Sequence, residues 1–262
     1  MRSLYMTAPN IKAVHAFTTR FGGVSKGIYE SLNLGFNHCD DRASVFDNYG
    51  IICSALGISI SDIVHSRQIH SSIVRVVDRT DCGSPGLSSI PEADGMISNS
   101  IGIALMVFTA DCVPILLHDP IAGVVGAVHA GWRGTALDAA GATARKMADV
   151  FGCCPSNIRA AIGPCISKCC FETDSDVTEA LSHALSEANE SCSSPRGGKY
   201  MVDLKEANRL LLLRAGVTNL TVSDECTSCN GTKYWSHRRD GVNRGSQMAI
   251  IVNSRQSANS DV

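Results

Sequence analysis

Two apolar stretches of strand length, residues 113–118 and 123–128, constrain the fold of this chain more than any other feature. The Asp119-Pro120 breaker between them predicts a turn that joins two adjacent strands. Cys112 stands just before the first stretch and His129 just after the second, so the strand ends can bring a thiol and an imidazole together. Such a meeting makes either a metal site or a nucleophile–base pair, and the spacing alone leaves both open.

Composition limits the classes of protein that need to be considered. The chain has 262 residues, of which 44% are hydrophobic and 18% charged, so a substantial core is expected. A formal net charge of -2 argues against a broadly basic nucleic-acid surface. No apolar window reaches the length of a membrane span, and residues 1–20 lack the apolar core of a signal peptide. We expect a soluble cytoplasmic protein.

The apolar patterns predict one α+β domain over residues 1–262, with a frayed polar tail from about residue 253. Strands outnumber the helices between them, which favours mixed or antiparallel sheets over a regular doubly wound sheet. The predicted strands lie at 13–19, within 63–77, and at 101–108, 113–118, 123–128, 158–162, 220–222 and 247–252. The predicted helices are 44–56, 135–151, 174–190 and 204–215, and residues 191–198 are expected to form a loop.

A zinc site needs a third protein ligand beside Cys112 and His129, because catalytic zinc takes three protein ligands and leaves one open position. His70, in the Gln68-Ile-His70 segment, is the candidate. Asp111 and Asp94 are the carboxylates that could orient a ligand imidazole or act as acid or base. In the competing interpretation Cys112 is a small buried thiol, His129 bonds to backbone and Asp94 only shapes a turn.

Arginine and glycine clusters indicate anion binding. Gly131-Trp132-Arg133-Gly134 joins a predicted strand to a predicted helix, where glycine allows close approach and Arg133 offers a planar fork for phosphate. Trp132 could cover an aromatic base or cap the core. Arg20 and the adjacent pair Arg238 and Arg239 are further anion-binding candidates, with an ordinary ion-pair network as the alternative.

Cysteine is abundant, with 12 residues in the chain. The length and the expected location favour reduced thiols over a disulfide framework. Cys226 and Cys229 have the spacing of a zinc half-site or a redox pair. No second pair stands at zinc-ribbon spacing, so a structural role is favoured for them.

Taken together, these segments resemble the YfiH-type laccase-domain family. That family is catalogued as multicopper polyphenol oxidase-like and described as purine nucleoside phosphorylase with adenosine deaminase activity. The matching segments are Thr18-Thr-Arg-Phe-Gly-Gly-Val-Ser25, Gln68-Ile-His70, Ala93-Asp-Gly95, Thr109-Ala-Asp-Cys-Val-Pro114, Val128-His-Ala-Gly-Trp-Arg-Gly134, Ala161-Ile-Gly-Pro-Cys165 and Ser236-His-Arg-Arg-Asp-Gly241.

The resemblance implies a zinc ion held by His70, Cys112 and His129, with copper as the alternative metal. It implies a mixed-sheet α-β-β-α layered sandwich similar to toxin-type cysteine hydrolases. It further implies phosphorolysis of adenosine, inosine and S-methyl-5′-thioadenosine to the free base and (methylthio)ribose 1-phosphate, together with adenosine deamination. The expected partners are a small nucleoside and phosphate, without nucleic acid or membrane, and the expected assembly is a monomer or homodimer.

Three other functions remain open from the sequence. A metal-free cysteine hydrolase or amidase, acting on a cell-wall precursor, would use Cys112, His129 and Asp111. A copper-dependent phenol oxidase is disfavoured because the chain lacks ligands for several copper sites. A binding module without turnover is the third. The chain also departs from the family near its end, where Arg244 stands one position before the usual arginine, which leaves its part in substrate binding open.

Overall fold

The computed structural model describes residues 3–36, 39–84, 86, 89–185 and 189–254, and it shows a mixed α/β protein with several sheets. The strands are β1 (Tyr5–Met6), β2 (His15–Thr18), β3 (Ile63–Val64), β4 (Ser66–Arg67), β5 (Val74–Val76), β6 (Ile90–Glu92), β7 (Gly95–Ser98), β8 (Ala104–Thr109), β9 (Val113–Asp119), β10 (Val124–Ala130), β11 (Arg159–Ile162), β12 (Glu172–Thr173), β13 (Ser193–Arg196), β14 (Lys199–Val202), β15 (Asn219–Val222) and β16 (Gln247–Val252). The α-helices are α1 (Arg42–Leu56), α2 (Trp132–Ala136), α3 (Ala139–Phe151), α4 (Ser175–Leu185), α5 (Asn189–Cys192), α6 (Leu204–Arg214) and α7 (His237–Asp240).

Two large mixed sheets dominate the described chain. One has the strand order β1-β2-β16-β8-β3, and the other has the order β15-β11-β9-β10-β7-β5. Most pairs are antiparallel, while β3 with β8, β5 with β7, and β11 with β15 are parallel. This mixture confirms the prediction of an α+β fold without regular double winding. Smaller sheets, β12-β14-β13 and β4-β6, lie beside them.

The predicted pair of adjacent strands is confirmed at the centre of the six-stranded sheet. β9 and β10 are antiparallel, and every residue of both strands is buried. Both faces of this pair are therefore covered, which explains why the two stretches read as continuous apolar runs rather than alternating ones.

Three apolar clusters surround the two sheets. One joins side chains of both sheets, among them Leu105 and Ile251 from the first and Leu116 and Val125 from the second. A second joins the six-stranded sheet to α3, α4 and α6, and a third joins the five-stranded sheet to α1. Alternating side chains of each strand supply the two faces, as the period of a strand requires.

The prediction of one continuous helix over residues 135–151 is wrong. The structure has α2 and α3 instead, separated at Leu137 and Asp138. Asp138 has a φ of 57°, a left-handed conformation that a helix interior does not allow, and its carboxylate accepts a hydrogen bond from the Gly141 amide. Asp138 thus starts α3 as its N-cap, a signal hidden within an alanine-rich run.

The remaining boundaries differ more modestly. The predicted helix 174–190 corresponds to α4 and α5, and residues 186–188 lie outside the described residues. The predicted loop 191–198 contains β13, which pairs with β14. Asn253 is buried and donates through its side chain to the Gly123 carbonyl, so the expected frayed tail does not begin there. Residues 255–262 of that tail are not described. Among the described helices, none combines the length and apolar character needed to cross a membrane.

Two buried histidines make the fold sensitive to acid. Burial lowers the pKa of both His65 and His118 to about 4. The unfolded chain takes up these protons near pH 6.5, whereas the folded chain does so only near pH 4. Each histidine therefore removes stability as the pH falls from about 6.5 to about 4, at about 1.4 kcal/mol per pH unit and about 3 kcal/mol in total.

We expect His118→Gln to reduce the pH dependence of the unfolding free energy by about one proton in this window. Urea unfolding in the presence of a chelator, repeated from pH 4 to pH 6.5, measures this slope. His183→Gln, at an exposed position of α4, is the matched control and leaves the slope unchanged. An identical slope in His118→Gln and the unsubstituted protein would contradict the assignment.

Candidate metal centre

The β9–β10 pairing brings Cys112 and His129 together. Ala130 pairs with Val113 across the two strands, so Cys112 lies one residue beyond the end of β9, beside the end of β10. His70 reaches the same point from the loop after β4. The potential ligand atoms of His70, Cys112 and His129 all lie within 4.8 Å of one another. The three residues that the sequence singled out as metal ligands are therefore adjacent in space.

Asp94 anchors two of these residues from a fully buried position. Its carboxylate accepts hydrogen bonds from the amides of Ile69, His70 and Ser71, at 3.2, 3.1 and 2.6 Å, and from the Ser71 hydroxyl. The same carboxylate lies 2.8 Å from Nδ1 of His129. That contact leaves Nε2 of His129 as the nitrogen available to a metal, in the carboxylate–histidine arrangement common around metal sites.

His70 is held in an unusual backbone conformation. Its φ of 62° lies in the left-handed region, which few residues other than glycine adopt. Two contacts keep it there. Asp94 accepts the His70 amide, and the Gln68 side chain donates to the Phe108 carbonyl and accepts from its amide at 2.9 and 2.7 Å. Strain of this kind is tolerated where the surroundings over-determine it, as at a ligand-binding loop.

Asp111 shapes the turn that carries Cys112. Its φ is 90°, and the Asp111 carboxylate accepts hydrogen bonds from the Thr227 hydroxyl at 2.6 Å, the Ser236 hydroxyl at 3.0 Å and the Arg238 amide at 2.6 Å. Both carboxylate oxygens are thus engaged by the C-terminal part of the chain. The residue predicted to work as an acid or base lies next to the cluster with its carboxylate occupied by these bonds.

The electrostatics of the cluster favour a cation. Burial raises the pKa of Asp94, but the hydrogen bonds from His129 and Ser71 outweigh it and hold the pKa at about 2, so the carboxylate is ionised. Burial lowers the pKa of His129, but the interactions with Cys112 and Asp94 outweigh burial and raise the pKa to about 9. A metal ion would take the place of that imidazole proton, because histidine binds metals in its neutral form.

Gly131 leaves the space in which the ligand atoms converge. A Cβ atom at this position would stand 2.6 Å from Nδ1 of His70 and 3.0 Å from Sγ of Cys112. The first distance is shorter than any real contact of a Cβ atom, so a side chain here would displace His70. The glycine after His129 is therefore needed for close approach rather than for an unusual backbone angle.

A cavity of about 530 Å³ opens beside the cluster, within the size range of sites for small molecules. Besides His70, Cys112 and His129, its walls include the rings of Phe36, His65 and Phe108 and the polar side chains of Ser66, Gln68, Arg244 and Ser246. Both ring nitrogens of His65 are buried and, within the described part of the chain, have no hydrogen-bond partner.

The predicted anion-binding residues occupy varied places. Trp132 is half-buried, and Arg133 stacks on it with 4.1 Å between the guanidinium carbon and the ring centroid. The charge of Arg133 also contributes to lowering the pKa of His70, after burial and His129. Arg20 stacks on Trp235 at 3.7 Å. None of these side chains, nor Arg238 or Arg239, is among the residues that line the described cavity.

Arg238 and Arg239 contact loop backbone instead. Arg238 donates to the Cys170 carbonyl at 2.9 Å, and Arg239 donates to the Thr227 carbonyl at 2.8 Å and pairs with Asp240 at 2.6 Å. These contacts match the alternative of an ion-pair and hydrogen-bond network. Both guanidinium groups therefore lie on loops next to Asp111 and not at the cavity.

Arg244 is the arginine that sequence reasoning left open, and it lines the cavity. Burial lowers its pKa, while the charges of Asp111 and Cys112 raise it, so the guanidinium lies within electrostatic reach of the metal ligands. It also donates to the Ser246 hydroxyl at 3.2 Å. His65, Phe36 and Phe108 were missed altogether. A histidine inside an apolar run was the one available signal, for His65.

We expect Gly131→Ala to abolish metal binding at this cluster while leaving most of the fold intact, because the added methyl group occupies the space between His70 and Cys112. Metal content after dialysis against zinc measures the loss. Gly50→Ala is the matched control, since a Cβ at Gly50 meets nothing within 4 Å and favours helix α1. Full zinc content in Gly131→Ala would contradict the assignment of this space to a metal.

Comparison with known proteins places the chain. Residues 14–254 match the family model described as multi-copper polyphenol oxidoreductase laccase. The purine nucleoside phosphorylase YlmD of Geobacillus stearothermophilus is 39% identical over 93% of this chain and 91% of its own. The adenosine deaminase RL5 of an unknown prokaryotic organism is 37% identical over 91% and 93%. The crystal structure of the hypothetical protein YfiH from Bacillus licheniformis superposes with a TM-score of 0.87 at 33% identity, over 91% of each chain. The chain therefore belongs to the laccase-domain family.

Proposed function

We propose that the protein is a zinc-dependent purine nucleoside enzyme that cleaves nucleosides with phosphate and also deaminates adenosine. The observation that carries the proposal is the convergence of His70, Cys112 and His129 beside the cavity of about 530 Å³. Relatives named purine nucleoside phosphorylase and adenosine deaminase support both reactions. The substrates are adenosine, inosine and S-methyl-5′-thioadenosine, and the products of phosphorolysis are the free base and (methylthio)ribose 1-phosphate.

The donor set fits zinc. One thiolate and two imidazoles would be three protein ligands, the number that catalytic zinc sites use while keeping one position open. Copper sites of the electron-transfer type also use two histidines and one cysteine, so copper is the alternative metal. A multicopper oxidase needs further clusters of histidines, and the metal-ligand clusters found among the described residues are this one and a group of four cysteines. Zinc bound here would supply a Lewis acid and lower the pKa of water.

The cavity walls suit a nucleoside and phosphate. Phe36, His65 and Phe108 offer ring surfaces to a purine base. Arg244 supplies the cation for phosphate at the same wall. Arg133 adds positive charge near His70, whereas Arg20, Arg238, Arg239 and Trp132 act from outside the cavity.

Asp94 and Asp111 serve as positioning residues in this proposal. Asp94 holds His129 in the tautomer that presents Nε2 and fixes the His70 loop through three amides. Asp111 fixes the turn before Cys112. His70, Cys112 and His129 would hold the metal ion.

A cysteine hydrolase or amidase is the second candidate. Asp94, His129 and Cys112 stand in the order of an orienting acid, a base and a nucleophile, with Asp94 in the place that the sequence assigned to Asp111. This candidate agrees with the proposal that the fold is an α-β-β-α sandwich related to toxin-type cysteine hydrolases. We also propose that the whole chain forms one such domain. In this reaction the protonated His129 would be the cation beside Cys112, and no metal would take part.

We expect zinc-loaded protein to release adenine or hypoxanthine from nucleosides only when phosphate is present, and to release ammonia from adenosine. His70→Ala should lower kcat/KM for release of the base by at least about 100-fold, because it removes a metal ligand. Chromatography of the bases, with and without a chelator, measures the first reaction.

His183→Ala is the control, since His183 is exposed on α4. Zinc-loaded protein that releases no base would overturn the proposal. Activity that survives chelation but is abolished by Cys112→Ser would favour the cysteine hydrolase.

We expect Arg244→Ala to raise the KM for phosphate by about 10- to 100-fold, the value of one charge-assisted hydrogen bond, with a much smaller change in the KM for nucleoside. Initial rates at varied phosphate measure the effect. Arg145→Ala is the matched control, because Arg145 pairs with Asp138 on α3 away from the cavity. An unchanged KM for phosphate would move the phosphate site away from Arg244, towards Arg133.

A further inference from the structure

Four cysteines form a second cluster outside the cavity. The sulfur atoms of Cys169, Cys170, Cys226 and Cys229 all lie within 4.8 Å of one another. The sequence pairs them as neighbours, Cys169-Cys170 and Cys226-x-x-Cys229, but 55 residues lie between the two pairs, as their numbers show. Folding brings the pairs together because Cys165 and Cys226 form a parallel backbone bridge and the Thr227 amide donates to the Cys165 carbonyl.

We propose that these four cysteines bind a structural zinc ion as a closed tetrathiolate site. Four thiolates at tetrahedral corners are a standard structural zinc ligand set, and they leave no open position for a substrate. The site shares no ligand with the His70 cluster and takes no direct part in the chemistry proposed for the cavity.

The separations between the sulfur atoms fit this geometry. The pairs Cys169–Cys170, Cys169–Cys229 and Cys170–Cys229 are 3.8, 3.5 and 3.3 Å apart. A tetrahedral zinc site with Zn–S bonds of about 2.3 Å places its sulfurs about 3.8 Å apart. A disulfide requires about 2.05 Å and joins only two of the four atoms. All four cysteines are free thiols in the structure.

Backbone amides support a thiolate at Cys226. The Ser167 amide donates to the Cys226 sulfur at 3.4 Å, and the amides of Ser228 and Cys229 add further bonds to it. Hydrogen bonds of this kind around a ligand sulfur orient it and stabilise its charge. The turn between Cys226 and Cys229 thus folds around the Cys226 sulfur. The exposed Cys229 sulfur lies in the same cluster.

A buried lysine bonds to Ser167, whose amide donates to the Cys226 sulfur. Lys205 is buried, and its ammonium donates to the Ser167 hydroxyl and to the carbonyls of Ser223 and Glu225, all at 2.8 Å. These acceptors are neutral, and no ion pair found among the described residues includes Lys205. A buried ammonium without a carboxylate is costly unless another anion offsets it. A zinc ion with four thiolates carries a net charge of -2 and would supply that anion.

Arg238 and Arg239 donate hydrogen bonds to the loops that carry the cysteines. Arg238 donates to the Cys170 carbonyl, and Arg239 donates to the carbonyls of Thr227 and Ser228, at 2.8 and 3.1 Å. Through these contacts the cluster is tied to Asp111, which accepts hydrogen bonds from both Thr227 and the Arg238 amide. A metal ion here would brace the turn that carries Cys112 without touching the cavity.

Metal analysis of the whole chain tests the proposal. We expect two equivalents of zinc in the unsubstituted protein, one in His70→Ala and one in the double variant Cys169→Ser/Cys229→Ser. Cys154→Ser, at an exposed cysteine away from both clusters, is the matched control and keeps two. X-ray absorption of His70→Ala should show zinc bound by sulfur alone. No zinc in His70→Ala, or two equivalents in the double variant, would overturn the proposal.

A second measurement needs no substitution. Alkylation of the unsubstituted protein, mapped by mass spectrometry, should be much slower at Cys169, Cys170, Cys226 and Cys229 with zinc than after chelation, while Cys154 reacts equally in both. Equal reactivity of the four in the two samples would refute the site. A disulfide among them in the protein as isolated, or iron in place of zinc, would also refute it.

Discussion

The buried carboxylate of Asp94 is the interaction on which the candidate metal centre depends. It gathers three consecutive backbone amides from the His70 loop and the ring of His129 around one ionised group. A buried carboxylate with so many donors is stabilised in its charged form, and removing it would leave the donors unpaired at a cost of about 3–5 kcal/mol. The positions of His70 and His129 therefore depend on the hydrogen bonds that stabilise the buried carboxylate of Asp94.

A second carboxylate repeats this arrangement on the other side of the cluster. Asp111 takes its donors from Thr227, Ser236 and Arg238, near the end of the chain, and thereby holds the turn before Cys112. Both acidic residues organise backbone. The polar chemistry of the site is left to the thiol and the imidazoles, which stand at strand ends and in one strained loop.

The central strands, and the meeting of Cys112 and His129 at their ends, could be predicted from the sequence because apolar runs and reactive side chains at their ends are local signals. The preference for a metal site with His70 over a nucleophile–base pair rested on the resemblance to the family. Cys112 and His129 follow from the ends of β9 and β10. The cavity walls could not be predicted in this way, since Phe36, His65 and Arg244 come from separate loops that converge only in three dimensions.

Two other differences between prediction and structure have different causes. The break between α2 and α3 depends on Asp138 taking a left-handed conformation and capping α3 through the Gly141 amide, a local signal hidden within an alanine-rich run. The Cys226–Cys229 pair lacked a partner pair at any standard spacing, yet tertiary structure supplies one in Cys169 and Cys170. Spacing rules detect only those metal sites whose ligands share one local motif.

The position of β16 in the first sheet has a consequence for how the protein is made. This strand, the last among the described residues, lies between β2 and β8 at the middle of its sheet, and Arg244 and Ser246 of the cavity directly precede it. During synthesis the sheet stays open until β16 has left the ribosome, so the early strands must wait with unpaired edges. Ligand binding can then assist only a chain that already extends past residue 252.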